Sequence, residues 1–350
     1  AGEKNTTASN PESTTAKPDD PPTPERATEI RTSTQLTMIA EALNADPESS
    51  RGKTYVLKAN IDMAGEWTGR FSVSSDGKMS KPGAVTEWKP ITKFYGTFDG
   101  NGKTITGLFA DGKAADGAAM FGELCDGAVV KDLTVDRSFF ASKGGAVAGL
   151  AQATSGSVTV ENVTVNTYLF TEEGSLAGLI GKAGGALTVK NTTFAGVLGV
   201  LDAEGTLPAE KADVVIGQMI ADGGEQALTL ENCTVKGLIY SKGETKDWCA
   251  VGSGKLTQTG GKVEASKLEF SEDAILIYTA EDLLRVMSDL KNASWGGDAA
   301  VNKNPETYEG KTIELMNDID LNPGWSAAST ITPRGEGSTA DDPAGYQVTF

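Results

Sequence analysis

One six-residue pattern recurs down the middle of the chain, and it limits the possible folds more than any other feature. Val130-Lys-Asp-Leu-Thr-Val135 returns as Val160-Glu-Asn-Val-Thr-Val165, as Val189-Lys-Asn-Thr-Thr-Phe194 and as Leu230-Glu-Asn-Cys-Thr-Val235. A weaker fifth copy aligns at Ala265-Ser-Lys-Leu-Glu-Phe270. A turn pair precedes each run: Asp126-Gly127, Ser155-Gly156, Gly184-Gly185, Gly223-Gly224 and Gly260-Gly261. Between runs lies a small-residue strand with a glycine, such as Met120-Phe-Gly122, Val147-Ala-Gly149 or Leu176-Ala-Gly178. The copies are spaced about 27–41 residues apart, the length of a solenoid unit.

A single copy has too little apolar surface to fold. Stacked copies share one core, which predicts an all-β, right-handed parallel β-helix of about five coils over residues 119–270. Leu133, Val135, Val163, Val165, Phe194 and Val235 are its expected inward residues. Asp132, Asn162, Asn191 and Asn232 take one equivalent position in successive coils. Stacked side chains of this kind can hydrogen-bond along the axis as a ladder, which Lys267 would break in the last copy. Asn162, Asn191 and Asn232 also begin Asn-x-Thr sequons. An inward or stacked asparagine is not an accessible acceptor, so the ladder is the preferred reading.

Upstream, Thr32 and Gln35 form a capping box before a helical stripe of Leu36, Ile39, Ala40 and Leu43, and Asp46-Pro47 ends it. Tyr55, Leu57, Ile61 and Met63 are core candidates of a following strand. Residues 94–108 then read Phe-Tyr-Gly-Thr-Phe-Asp-Gly-Asn-Gly-Lys-Thr-Ile-Thr-Gly-Leu, two alternating runs around a tight turn at Asp99-Gly100-Asn101-Gly102. We read this stretch as the joint between the capped opening segment and the coils.

Residues 1–28 are rich in Thr, Ser, Pro, Asn and Asp and cannot bury enough surface to offset their ordering entropy. They read as a disordered tether, and residues 29–273 as the β-helix module with short capping helices. Residues 274–350 restart that module: Ile277 to Leu283 matches Ile30 to Leu36, Gly310 to Leu321 matches Gly52 to Met63, and residues 346–350 match residues 94–98. The second copy is thus expected to be truncated, and its helix to cap the first solenoid.

Residues 30–270 as a whole resemble the GLUG-motif β-helix proteins. The likeness rests on the helix, the Gly52-Lys-Thr strand, Asn60-Ile-Asp-Met63, Trp88-Lys-Pro-Ile91, the 94–108 signature and the Gly-Leu coils at Val147-Ala-Gly-Leu150 and Leu176-Ala-Gly-Leu-Ile-Gly181. Such proteins are surface or secreted proteins of gut Bacteroidetes and some Firmicutes, with a pectin-lyase-like fold. Some are described as immunoglobulin A peptidases or adhesins. The resemblance implies an extracellular or cell-surface location, with anchoring by a lipid on a removed N-terminal segment. It implies a host or cell-surface protein or glycan as partner. It carries over no peptidase residues.

Composition narrows the chemistry. The net charge of −17 would repel phosphate backbones and anionic bilayer surfaces, so nucleic acid is not expected, and no apolar run approaches ~20 residues, so membrane insertion is not expected. The chain has no histidine, which removes His-dependent triads and HExxH zinc sites. Cys125, Cys233 and Cys249 lack metal-ligand spacing and read as buried small apolar residues. No metal and no cofactor is expected. Asp99 lacks the further acidic ligands of a calcium loop. Asp132, Asp136 and Arg137 are the one compact acid–arginine set on the coils, and Glu172-Glu173 are adjacent rather than opposed. No catalytic residue is therefore assigned.

Trp67, matched by Trp325, and Trp88 fit the core of the module. Trp248 and Trp295 are the candidates for stacking on a sugar. The reading is a non-catalytic extracellular module for adhesion or display. The alternatives are a glycan-binding module or a carbohydrate-active enzyme on the same fold.

Overall fold

In the computed structural model the described residues are 27–68, 71–73, 77–84, 86–112, 116–207, 214–241, 243–252, 255–267, 274–277, 283, 286–287 and 311–315. They form a parallel β-solenoid of about seven turns with very little helix. One sheet runs its whole length, in the order Thr28–Ile30, Thr54–Leu57, Thr97–Thr106, Val129–Ser142, Val158–Thr171, Leu187–Lys190, Leu228–Glu231 and Leu256–Thr259. A second sheet stacks Ile91–Phe94, Phe121–Leu124, Ala151–Thr154, Ile180–Ala183, Ile220–Asp222 and Cys249–Val251. A third stacks Ala146–Ala148, Ser175–Ala177, Val215–Gly217 and Thr245–Lys246.

The register explains the repeat. Val130 pairs with Val160, Val160 with Val189 and Val189 with Leu230, so each copy's first apolar residue lies on the one before. Ile105, Val135, Val165, Phe194 and Val235 form a second inward column. All are buried in one continuous core, and the six inward residues expected from the sequence are among them.

The 94–108 stretch is not a joint between two kinds of structure. Phe98 stacks on Val130 and Ile105 on Val135, so the stretch is itself a solenoid turn and the coils begin well before residue 119. The Asp-Gly-Asn-Gly segment is a bulge within the continuous strand Thr97–Thr106, not a hairpin turn. Lys131 pairs with Asp99 and Leu133 with Lys103, which leaves Gly100, Asn101 and Gly102 opposite Asp132 alone. Parallel pairing to a neighbour on each side keeps the strand extended through residues that would otherwise reverse it.

The fifth copy also lies elsewhere than the sequence alignment put it. Leu256–Thr259 pairs with Leu228–Glu231 in register, and Lys262-Val263 pairs with Thr234-Val235. The last copy is therefore Leu256-Thr-Gln-Thr-Gly-Gly-Lys-Val263, and Gly260, not Lys267, takes the ladder position. Lys267 pairs with Ile239 on another strand. In the third and fourth copies a Gly-Gly pair precedes the run, whereas here it replaces Asn-Cys inside it. Gly260 has φ 63°, the same left-handed backbone as Asn232 at φ 52°. This last turn also puts Gln258 in the Val130 column, and Val263 is 46% exposed where Val235 is fully buried.

The N-terminal end is closed by α1, Ser33–Ala45. Gln35 N–H donates to Thr32 Oγ1 at 3.2 Å and Arg31 N–H to Gln35 Oε1 at 2.7 Å, so both residues of the expected capping box hold the first turn. Leu36, Ala40 and Leu43 face the main core. Residues 274–277 pair with 312–315 in the register that joins 28–30 to 55–57: Ile277 opposes Leu315 as Ile30 opposes Leu57. Leu283 and Val286 pack on Ile277 in a small core of their own.

A second apolar cluster lies outside the solenoid. Phe109, Phe139, Tyr168 and Val197 stack outward on four successive turns, while Phe140, Leu169 and Leu198 point inward. Two short antiparallel ribbons, Trp67–Thr68 with Gly83–Ala84 and Ser72–Val73 with Met79–Ser80, carry Phe71 and Val73 over these rings. Phe71 stacks on Tyr168 with centroids 4.3 Å apart. Leu207 N–H donates to the Gly77 carbonyl at 2.8 Å, closing the cover from the other side.

Candidate functional site: the outward face of the long sheet

Inward residues alternate with outward ones along each strand, and parallel stacking turns the outward ones into rows. One row is Thr104, Thr134, Thr164, Thr193 and Thr234. Another is Asp99, Lys131, Glu161, Lys190 and Glu231, which alternates in sign. Lys131 Nζ lies 3.0 Å from Asp99 and Lys190 Nζ 3.2 Å from Glu231. The hydrogen bond to Asp99 holds the Lys131 ammonium above the usual lysine range.

Between these rows runs the ladder. Asn101, Asp132, Asn162, Asn191 and Asn232 all have φ between 47° and 54°. Asparagine and aspartate tolerate this left-handed backbone better than other side-chain-bearing residues. Asn162 Nδ2 donates to Asp132 Oδ1 at 2.9 Å, and Asn232 Nδ2 to Asn191 Oδ1 at 3.4 Å. A matching bond lies on the other side of the threonine row, from Asn166 Nδ2 to Asp136 Oδ1 at 2.9 Å. The ladder is therefore an outward device. Asn162, Asn191 and Asn232 are exposed, which corrects the expectation of inaccessible side chains.

Where the bulge meets the ladder the face opens into a shallow trough of about 550 Å³. Asp99, Asn101, Gly102, Lys131, Asp132, Thr134 and Asn162 line it. Asn101 is fixed by Asp99, whose Oδ1 accepts its N–H at 2.7 Å, and its own amide donates to the Leu57 carbonyl at 3.1 Å. Among the described residues, the hydroxyls of Thr134, Thr164, Thr193 and Thr234 have no partner.

The other candidates are placed as follows. Asp136 binds Asn166 and, at 3.1 Å, Arg137, itself a bulge residue at φ 40°. Asp132 binds Asn162 and lies 3.7 Å from Lys131. The two carboxylates sit in ladder and ion-pair contacts. Glu172 and Glu173 follow Thr171 at a corner, one half-buried and one exposed. Trp248 is half-buried against the main core, and its carbonyl accepts from Ile220 N–H at 2.9 Å. Trp67 packs edge-on to Phe109 and donates to the Gly107 carbonyl at 2.7 Å, and Trp88 is buried and donates to Met120 at 3.0 Å. Trp295 and Trp325 lie outside the described residues. Cys125, Cys233 and Cys249 are buried free thiols, and burial pushes the Cys233 and Cys249 thiols up. No helix among the described residues is long and apolar enough to cross a membrane.

The sequence pointed to the ladder as structure and to Asp99–Gly102 as a turn, and not to the trough. The trough needs the bulge of one turn beside Asp132 and Thr134 of the next and Asn162 of the one after. The only sequence signal was the glycine spacing around Asn101.

No family model matches the chain, and no curated protein matches it. Among solved structures, one named a "putative immunoglobulin A1 protease" from Bacteroides ovatus is 14% identical, with a TM-score of 0.32 over 79% of this chain and 91% of that one. A likeness at that score carries no argument about what this chain does.

Proposed function

We propose that the chain is a non-catalytic module of a larger cell-surface protein, located outside the cell, that acts in adhesion or display. Its contact surface is the outward face of the long sheet. The observation behind this reading is the set of rows around the trough: polar side chains on five successive turns, held in register by a rigid core. Such a surface presents a fixed pattern at little conformational cost, as a binding scaffold requires. Asp99, Asp132, Asp136 and Glu231 on it are engaged by lysine, arginine or amide partners, an arrangement suited to holding a shape.

The test has two parts. Protease treatment of intact producing cells should remove the module, and a protected, internal protein would overturn the location. Beads coated with the full chain should adhere to host epithelial cells or to neighbouring bacteria. Beads carrying Thr134→Val with Asn162→Gly should adhere several-fold less. Equal adhesion by both proteins would overturn the choice of face.

A further inference from the structure

We infer that the trough and the threonine row take a linear, uncharged polysaccharide laid along the solenoid axis, about one sugar per turn. This deepens the reading of the long sheet as the contact face and rests on it.

Charge comes first. Most acidic groups of the face lie beside a cation: Asp99 and Asp132 share Lys131, Glu231 faces Lys190 and Asp136 faces Arg137, while Glu161 sits in the row between Lys131 and Lys190. The rows therefore project no single sign that would select a polyion, and the chain's net charge of −17 disfavours a polyanion. What the face offers is neutral hydrogen bonding. Thr134, Thr164, Thr193 and Thr234 present hydroxyls that both donate and accept, and Asn101 and Asn162 add amide groups beside them. Sugar hydroxyls are the matching chemistry.

Spacing comes second. Successive turns of a parallel stack lie ~4.8 Å apart, close to the advance of one sugar in an extended chain. A polymer lying along the axis meets the same hydroxyl on every turn. An extended peptide advances only ~3.3 Å per residue and falls out of step within two turns. The trough's volume of about 550 Å³ is in the range of small-ligand sites, and its location at the bulge gives the polymer a seat for one end.

The experiment measures binding of the full chain to oligosaccharides of graded length, from neutral, uronate and cationic glycans, alongside the adhesion assay above. The inference expects neutral oligomers to bind more tightly with each added sugar up to about the number of turns in the row. It expects a loss on the order of tenfold in Thr134→Val with Asn162→Gly. Thr164→Val, an isosteric change on the next turn, is the second variant should the first unfold. A single sugar binding as well as the polymer would overturn the inference, and so would a preference for uronates or for cationic glycans, or equal binding by every folded variant. Adhesion lost in the variant with no glycan bound would overturn it too, while leaving the adhesion reading intact. Adhesion unchanged in every variant would sink both.

Discussion

Asn162 and Asp132, one turn apart in the solenoid, share a left-handed backbone and a 2.9 Å hydrogen bond between their side chains. The left-handed backbone turns each residue outward within its strand, and the bond ties consecutive turns together. Asn162→Ala should lose both the bond and the tolerance for φ 54°, at a cost of about 1–2 kcal/mol. Asn162→Gly keeps the backbone free and should cost clearly less. Denaturant unfolding of the two variants checks this, and equal losses would show that the backbone conformation contributes nothing.

Gly178 shows the opposite limit, where the constraint is space. A β-carbon there would collide with the Gln218 carbonyl and the Phe194 ring. Gly178→Ala should destabilise by about 1–3 kcal/mol or more through overpacking. Gly52→Ala has open space and only φ 73° against it, so it should cost about 1–2 kcal/mol. Combining Gly178→Ala with Phe194→Leu should recover part of the first loss, and an absence of recovery would argue against the ring as the obstacle.

The outer aromatic cluster makes its own prediction. Phe71 is 3% exposed and lies over Phe139, Tyr168 and Phe170. Phe71→Ala should cost about 3–5 kcal/mol and uncover rings that bind a hydrophobic dye. A variant with unchanged stability and no dye binding would mean that the two ribbons merely rest on the sheet.

Tyr95 should titrate late. A hydrogen bond to the Cys125 thiol, with burial and Glu48 adding to it, pushes its hydroxyl up to about 12. The folded state keeps this proton when the unfolded chain, near pH 10, has lost it. The contribution to stability is whole below about pH 10 and is lost as the pH rises towards 12. Difference absorbance of the wild type against Tyr95→Phe would show one phenol ionising near 12, and ionisation near 10 would contradict the contact with Cys125.

Much of the architecture was legible in the chain. The valine columns, the ladder positions and the helical cap of Thr32 and Gln35 were read from residue spacing, because each depends on local alternation or local capping. The failures lie where neighbours came from another turn. The 94–108 stretch read as two runs around a tight turn because Asp-Gly-Asn-Gly commonly reverses a chain, and pairing with the turns on both sides keeps it straight. The fifth copy slipped because Gly260-Gly261 replaces Asn-Cys within the run instead of preceding it. The placement of Trp248, half-buried against the core on a half-turn that stacks on residues 220–222, was likewise not legible.

The sequence by itself determined that the chain stacks in parallel and which residues face inward, since a period-two pattern repeated at solenoid spacing has no other way to bury its apolar side. The tertiary structure decided which outward groups meet. Side chains about thirty residues apart become neighbours only through the register of the stack, which depends on the length of every corner between them. The trough, the alternating charge row and the cover over Phe139 and Tyr168 all arise at that level.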